Sequence, residues 1–339
     1  MPMSNVNTVT PLPMRPAAGQ KSAVDYPSLF KALGDALRLN ILRVLHGDSF
    51  SVSELCDVFD LRQSALSHHL KVLVAADLLV RRREGTAIFY RRQVPDGPDK
   101  ALLQAVYAAL DDVALDEELV DSLAKVHHQR ELNSLNFFRD HLTQFRENRE
   151  MIASYSDYAD ASLHLLDTLA LADDASVLEI GPGEGDLLPA LAERVTNLTA
   201  LDNSPAMLDI ARTKIDPGLA VTFIEGDIGA GALADQCFDV VVANMVLHHT
   251  PHPEKVFAAS AAHLKPGGAL IISELCAHDQ AWAREHCGDL WLGFEPAQLS
   301  HWAEGTGLTA SAEVFIAQRN GFQIQVRLFR RSESTGDLK

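Results

Sequence analysis

Basic residues are scarce in this chain: 29 Lys and Arg stand against 46 Asp and Glu, giving a formal net charge of −17. Such a molecule is repelled as a whole by nucleic acid, so any locally basic segment carries information. Cysteine is scarcer still. Cys56, Cys237, Cys276 and Cys287 form no C-x-x-C pair and no regular framework, which argues for reduced thiols in a cytoplasmic protein. No apolar run approaches the ~18–20 residues of a membrane span. The first residues lack the apolar core of an export signal, so the expected location is the cytoplasm, without a membrane. What is present is enough apolar material, 47% of 339 residues, for two full-sized cores.

Composition divides the chain into five stretches. Residues 1–24 are rich in Pro, Ser, Thr and Asn and read as a disordered tail. Residues 25–95 pattern as short helices followed by a basic hairpin, and Val94-Pro-Asp-Gly-Pro-Asp99 breaks that pattern. Residues 96–150 read as a helical connecting or dimerising segment, with apolar positions at Leu132, Leu135, Phe138, Leu142 and Phe145. Over residues 151–332 strands and helices alternate, as in a doubly wound α/β domain. Residues 333–339 form a short tail.

In the first domain, Ser51-Val-Ser-Glu54 has the form of a capping box and opens a short helix over Val52 to about Phe59. The next helix carries Leu66, Leu70 and Leu73 on one face, at i, i+4 and i+7. Its other face presents Ser64, Ser67, His68 and Lys71. Short polar side chains near a helix N-terminus suit entry into the major groove. Val80 to Arg92 then reads as a β-hairpin with Glu84-Gly-Thr86 at its tip. Between Arg62 and Arg92 there are seven basic residues (Arg62, Lys71, Arg81, Arg82, Arg83, Arg91, Arg92) and two acidic ones (Asp77, Glu84). That surplus suits a wing contacting phosphates beside a groove-reading helix. An ordinary solvated bundle with a charged hairpin is the plainer alternative. The order of capping box, helix and wing argues against it. The candidate DNA contacts are Arg62, Gln63, Ser64, Ser67, His68, Lys71, Arg81, Arg82, Arg83 and Arg91.

Glu54-Leu-Cys-Asp57, Ala65 to Leu73 and the wing Arg83 to Arg91 resemble the ArsR/SmtB family of winged-helix repressors. The resemblance covers about residues 26–93. It implies a homodimer on a near-palindromic double-stranded DNA operator. The family's metal ligands are missing from their places. Cys56 stands alone, residues 101–110 supply no Asp, His and Glu set, and the adjacent His127 and His128 point about 100° apart on a helix. No metal is therefore expected.

In the second domain, Ser176-Val-Leu-Glu-Ile180 reads as a buried strand. Gly181, Gly183 and Gly185 follow at alternate positions. A dinucleotide turn would be G-x-G-x-x-G, but here the third glycine comes one residue early and Asp186 fills its place. Glu179-x-Gly-x-Gly-x-Gly185 instead resembles motif I of class I S-adenosylmethionine-dependent methyltransferases. Further strands end at Asp202, 17 positions after Gly185, and at Asp227. Ser204 and Pro205 open a helix after Asp202. A fourth strand reaches Asn244, ahead of Met245 and His248-His249. A fifth runs through Leu264–Ser273, and a closing hairpin turns at Asn320-Gly321.

The resemblance implies a Rossmann-like methyltransferase fold with an antiparallel edge hairpin. It places Glu179 and Gly181 near the methionine moiety of an adenosyl ligand, with Gly183 allowing close passage and Gly185 completing the turn. Asp202, beside Asn203, would hold the ribose. Asp227 would meet the adenine, flanked by Ile228, with Asn244 and Met245 at the pocket edge. His248 and His249 are candidate general bases, though pocket lining or a helix start is the plainer reading. Two expectations stand side by side. One is a ligand-responsive repressor sensing S-adenosylhomocysteine or S-adenosylmethionine, in the manner of ArsR-type regulators of methyl-cycle genes that carry such a domain. The other is an active methyltransferase with a DNA-binding regulatory arm.

Overall fold

The computed structural model describes residues 26–84, 87–95, 97–216, 218–280 and 282–333. The expected tail over residues 1–24, the tip residues Gly85 and Thr86, and the side chains of Leu135, Phe138, Leu142 and Phe145 lie outside what it describes.

The first domain is a mainly α winged helix-turn-helix. Helices α1 (Tyr26–Leu33) and α2 (Ala36–Val44) precede strand β1 (Ser49–Ser51), α3 (Val52–Phe59) and α4 (Gln63–Ala75). Strands β2 (Leu79–Glu84) and β3 (Ala87–Arg92) form the wing, and β1 pairs with β3. The capping box forms: Ser51 Oγ accepts the Glu54 N–H at 3.2 Å, and Glu54 Oε2 accepts the Ser51 N–H at 2.7 Å. Leu66, Leu70 and Leu73 are fully buried against Ile41, Leu42 and Leu55, which fixes the outward face of α4. The connecting segment is two helices, α5 (Lys100–Asp111) and a 36-residue α6 (Glu117–Ile152). Arg92 ties α5 to the wing through Asp111 Oδ1 at 2.6 Å and lies over the Tyr107 ring.

The second domain begins with α7 (Tyr155–Asp167), β4 (Ser176–Ile180), α8 (Leu188–Ala192), β5 (Asn197–Asp202), α9 (Pro205–Lys214) and β6 (Val221–Glu225). It continues through β7 (Phe238–Asn244), α10 (Pro253–His263), β8 (Leu264–Leu275), α11 (Trp282–Cys287), α12 (Pro296–Gly305), β9 (Leu308–Ala317) and β10 (Gln323–Arg331). The seven-stranded sheet has the order β6-β5-β4-β7-β8-β10-β9. Its first five strands pair in parallel, and β10 lies antiparallel to both β8 and β9. The strand order reverses between β4 and β7, and the crevice at such a switch point is where α/β sheets bind ligands. Successive side chains of one strand face opposite layers. Val177, Val240 and Ile271 pack toward α7 and α8, while Leu178, Val241 and Leu270 pack toward α10 and α12. No helix among the described residues is long and apolar enough to cross a membrane.

Contacts of the wing and of α6 with the segment around Leu292 help to join the domains. Arg82 Nη1 of the wing donates to the carbonyls of Leu292 at 3.1 Å and Gly293 at 3.4 Å. Arg130 of α6 lies over the Trp291 ring, 5.4 Å from its centre.

Candidate functional site

The glycines of the turn after β4 answer to backbone geometry. Gly181, Gly183 and Gly185 have φ of +60°, +55° and +81°, a region that L side chains avoid. A Cβ on Gly181 would sit 2.7 Å from Val246 Cγ2, and one on Gly185 would sit 3.0 Å from the Ala211 Cα. Gly181 and Gly183 line a pocket at the switch point. Gly185 is not among the residues lining it; it lies where the turn closes against Ala211 of α9. Asp186, standing where a dinucleotide turn has glycine, instead accepts from Lys214 Nζ at 2.6 Å.

The pocket gathers the other residues singled out from the sequence: Glu179, Asp202, Asn203, Asp227, Ile228, Asn244, Met245, His248 and His249 all line it. Glu179 is 2% exposed, its Oε2 has no hydrogen-bond partner, and its carboxyl is pushed up to about 8 by burial and by the charges of Asp186 and Asp202. A buried acid so placed is poised to ionise when a cation arrives. Asp202 is raised to about 6 by burial, against the pull of the Ser204 and Gly183 N–H groups; the Ser204 contact is 2.8 Å. Asp227 is exposed at the rim, where its Oδ1 accepts the Gly229 N–H at 2.7 Å. Asn244 Oδ1 accepts from Ser162 Oγ at 3.0 Å, and its buried Nδ2 has no partner. A buried acceptor and a buried donor without partners in one crevice mark polar contacts available to a ligand.

His248 is 4% exposed, with Nδ1 2.6 Å from Glu274 Oε1. Burial works to lower its pKa, but Glu274 and Asp289 outweigh that and hold it at about 9. That favours the protonated ring, paired with Glu274, over the candidate role of general base. His249 Nδ1 lies 3.4 Å from the Gly288 carbonyl. Tyr155, Tyr158 and Asp289 also line the pocket and were missed from sequence. For the tyrosines the signal was available: Ser154 caps α7 in a second capping box with Asp157, which fixes the first turn that carries both rings. Asp289 comes from an irregular segment with no such signature.

On the first domain, Arg62, Gln63, Ser64, His68 and Lys71 are exposed along the N-terminal half of α4, while Ser67 is half-buried. Arg81 and Arg83 are exposed on β2. Arg82 points the other way, to Leu292 and Gly293. Arg91 is half-buried in the field of Glu295, and burial lowers its pKa. In this arrangement those two arginines face the second domain rather than a phosphate backbone.

Comparison with known proteins agrees with this division. Residues 33–82 match the helix-turn-helix domain family, and residues 178–272 match the methyltransferase domain family. The chain therefore joins a helix-turn-helix domain to a methyltransferase domain. Ubiquinone biosynthesis O-methyltransferase of Pectobacterium carotovorum is 31% identical over 147 residues, 39% of this chain and 62% of that protein. The enzyme of the same name from Coxiella burnetii (strain RSA 493) is 26% identical over 198 residues, 49% of this chain and 85% of its own. The chain thus spans a little under two thirds of the Pectobacterium relative. Among solved structures, magnesium protoporphyrin IX methyltransferase from Synechocystis PCC 6803 with bound SAH superposes with a TM-score of 0.51 at 16% identity. That match covers 60% of this chain and all of the other. This likeness extends to the fold.

Proposed function

We propose that the chain is an ArsR-type transcriptional repressor. In this reading its methyltransferase-like domain binds S-adenosylhomocysteine or S-adenosylmethionine and thereby sets the affinity of a homodimer for its operator. The target genes would be those of methionine and the methyl cycle, and the site of action the cytoplasm, on the nucleoid when DNA-bound. Asp202 would accept the ribose hydroxyls, Asp227 the adenine amino group, and Glu179 would face the ligand's α-ammonium. Arg62, Gln63, Ser64, Ser67, His68 and Lys71 would enter the major groove, with Arg81 and Arg83 on flanking phosphates.

One observation carries the reading: the segment from Asp289 to Phe294 touches the pocket at one end and the wing at the other. Asp289 lines the pocket. Leu290 N–H donates to the His248 carbonyl at 2.8 Å, and Trp291 Nε1 donates to the Thr250 carbonyl at 2.7 Å. Three residues on from Asp289, Leu292 receives Arg82 of the wing. A ligand that shifts Asp289 or the His248 turn changes what holds Arg82, and so discriminates between two placements of the wing. Differential binding of that kind is what allostery requires.

The second reading, an active methyltransferase with a DNA-binding arm, draws support from the O-methyltransferase relatives. Methyl transfer needs mainly an aligned nucleophile, so the loss of His248 as a base does not exclude it. Two measurements separate the readings. Calorimetric titration should give saturable binding of S-adenosylhomocysteine, and absence of binding would refute both. Incubation with methyl-labelled donor and cell extract should give no labelled product if the chain is a sensor alone. Label transferred to an extract component would establish the enzyme.

A further inference from the structure

Three segments remote in sequence meet in the seam between the domains. Asp48 lies in the turn before β1, His127 lies on α6, and His252 and Glu254 stand at the start of α10. Asp48, His127 and His252 each offer one ligand atom, and these atoms all lie within 4.8 Å of one another. His127 Nε2 is 2.9 Å from Asp48 Oδ2, and the rings of His127 and His252 meet edge to face with centres 3.6 Å apart. Glu254 adjoins this group of three. Its Oε1 is 3.4 Å from His252 Nδ1, and its Oε2 is buried without a hydrogen-bond partner. Its side chain passes over Gly47, where a Cβ would lie 3.2 Å from Glu254 Cγ, so it lies next to Asp48.

The surrounding charges leave this group unfinished. Arg130 Nη1 is 3.3 Å from Asp48 Oδ1, but Arg130 also gives Nε to Glu54 Oε1 at 2.8 Å and Nη2 to the Ser49 carbonyl at 2.9 Å, and it lies over the Phe50 ring. Glu54 thus shares in neutralising the guanidinium, and Asp48 Oδ2 pairs with His127. Two imidazoles and two carboxyls that converge from three segments have the composition of a divalent metal shell. The set His₂ with two carboxylates suits zinc, which takes imidazole nitrogen and carboxylate oxygen in four-coordinate sites.

We propose that Asp48, His127, His252 and Glu254 form a zinc site that clamps the winged-helix domain, the long helix α6 and the methyltransferase domain together. Ligand distances of about 2.0–2.2 Å in a tetrahedron put donor atoms roughly 3.3 Å apart. The Asp48–His127 contact therefore opens by a few tenths of an ångström, and the Glu254 carboxyl draws in toward the other three donors. His127 gives zinc its Nε2 lone pair with its proton on Nδ1, and Glu254 binds as a carboxylate. The bound shell is then neutral: two carboxylates against one dication. The sequence hid the site because its donors are spread from residue 48 to residue 254. The neighbouring pair His127 and His128, which spacing invites one to test, does not form it. This site does not depend on what the adenosyl-type pocket holds.

The test uses the full-length chain, stripped with chelator and titrated with Zn²⁺ against a chromophoric competitor. One tightly held zinc per chain is expected. His127→Gln and His252→Gln should each weaken uptake by at least about tenfold, as the loss of a ligand implies. His249→Gln, in the separate group His248, His249 and Asp289, should leave it unchanged. Absence of stoichiometric uptake by the unaltered chain, or loss of it in His249→Gln alone, overturns the proposal. Should the glutamine variants fail to fold, histidine carbethoxylation of the unaltered chain decides the matter. Zinc should protect His127 and His252, and equal labelling with and without zinc overturns the assignment.

Discussion

Asp202→Ala separates the two jobs assigned to this chain. The carboxylate sits at the end of β5, lines the pocket, and is raised to about 6 by burial, so at pH 7 it is mostly ionised. As the proposed acceptor of two ribose hydroxyls it makes two hydrogen bonds to a charged group, each worth roughly 1.5–3 kcal/mol. Taking the lower figure for both gives about 3 kcal/mol, or roughly 150-fold weaker ligand binding at 1.4 kcal/mol per decade. Alanine also frees the Ser204 N–H, which now donates to Asp202 at 2.8 Å. Part of the loss therefore comes from a looser start to α9, and Asp202→Asn, which keeps an acceptor there, should fall between the two. The winged helix lies in a separate core, so binding of ligand-free protein to DNA should stay within about twofold. The assay pairs calorimetry with S-adenosylhomocysteine and fluorescence anisotropy on a duplex selected by the protein from a random library. Ligand affinity within threefold of the unaltered chain would refute the role of Asp202. Loss of ligand-free DNA binding would refute the separation of the domains.

Glu179→Gln should change the pH profile of stability. The carboxyl is raised from 4.5 to about 8 in the folded chain, so folding takes up a proton and ligand-free stability falls as pH rises from about 4.5 to about 8. Glutamine removes that loss, so denaturant midpoints should favour the variant by about 1–4 kcal/mol more at pH 8.5 than at pH 4.5; parallel profiles would contradict the burial argument. Glu274→Ala leaves His248 without its 2.6 Å partner and should cost about 3–5 kcal/mol in urea unfolding at pH 7, whereas a cost below about 1 kcal/mol would mean the pair is not a buried ion pair. Arg82→Ala removes the donor to Leu292; ligand affinity should hold within threefold while the ligand-induced change in DNA affinity shrinks. An undiminished change would place the coupling elsewhere.

Much of this molecule could be read before its fold was known, because the signals were local. The capping box at Ser51, the i, i+4, i+7 leucines of α4 and the glycine turn after β4 each specify geometry within about ten residues. The acids Asp202 and Asp227 were legible because parallel strands end on the same side of the sheet. What escaped was long-range. Gly185 reads as part of a ligand loop until its approach to Ala211 is seen. His248 reads as pocket lining or a candidate base until Glu274, 26 residues later in sequence, closes on it. Arg82 and Arg91 count as wing charges until the second domain packs against them. Spacing can place a residue on a face but cannot say what another domain brings to that face.

The central claim is that occupancy of the pocket sets affinity for DNA. It is tested most directly by titrating the unaltered protein onto its selected duplex at fixed salt, without ligand and with saturating S-adenosylhomocysteine or S-adenosylmethionine. Salt must be held constant because phosphate contacts make the affinity steeply salt-dependent. A coupling of about 1–3 kcal/mol predicts a shift of roughly 5–150-fold with at least one of the two compounds. Identical binding curves in all three conditions would contradict the account.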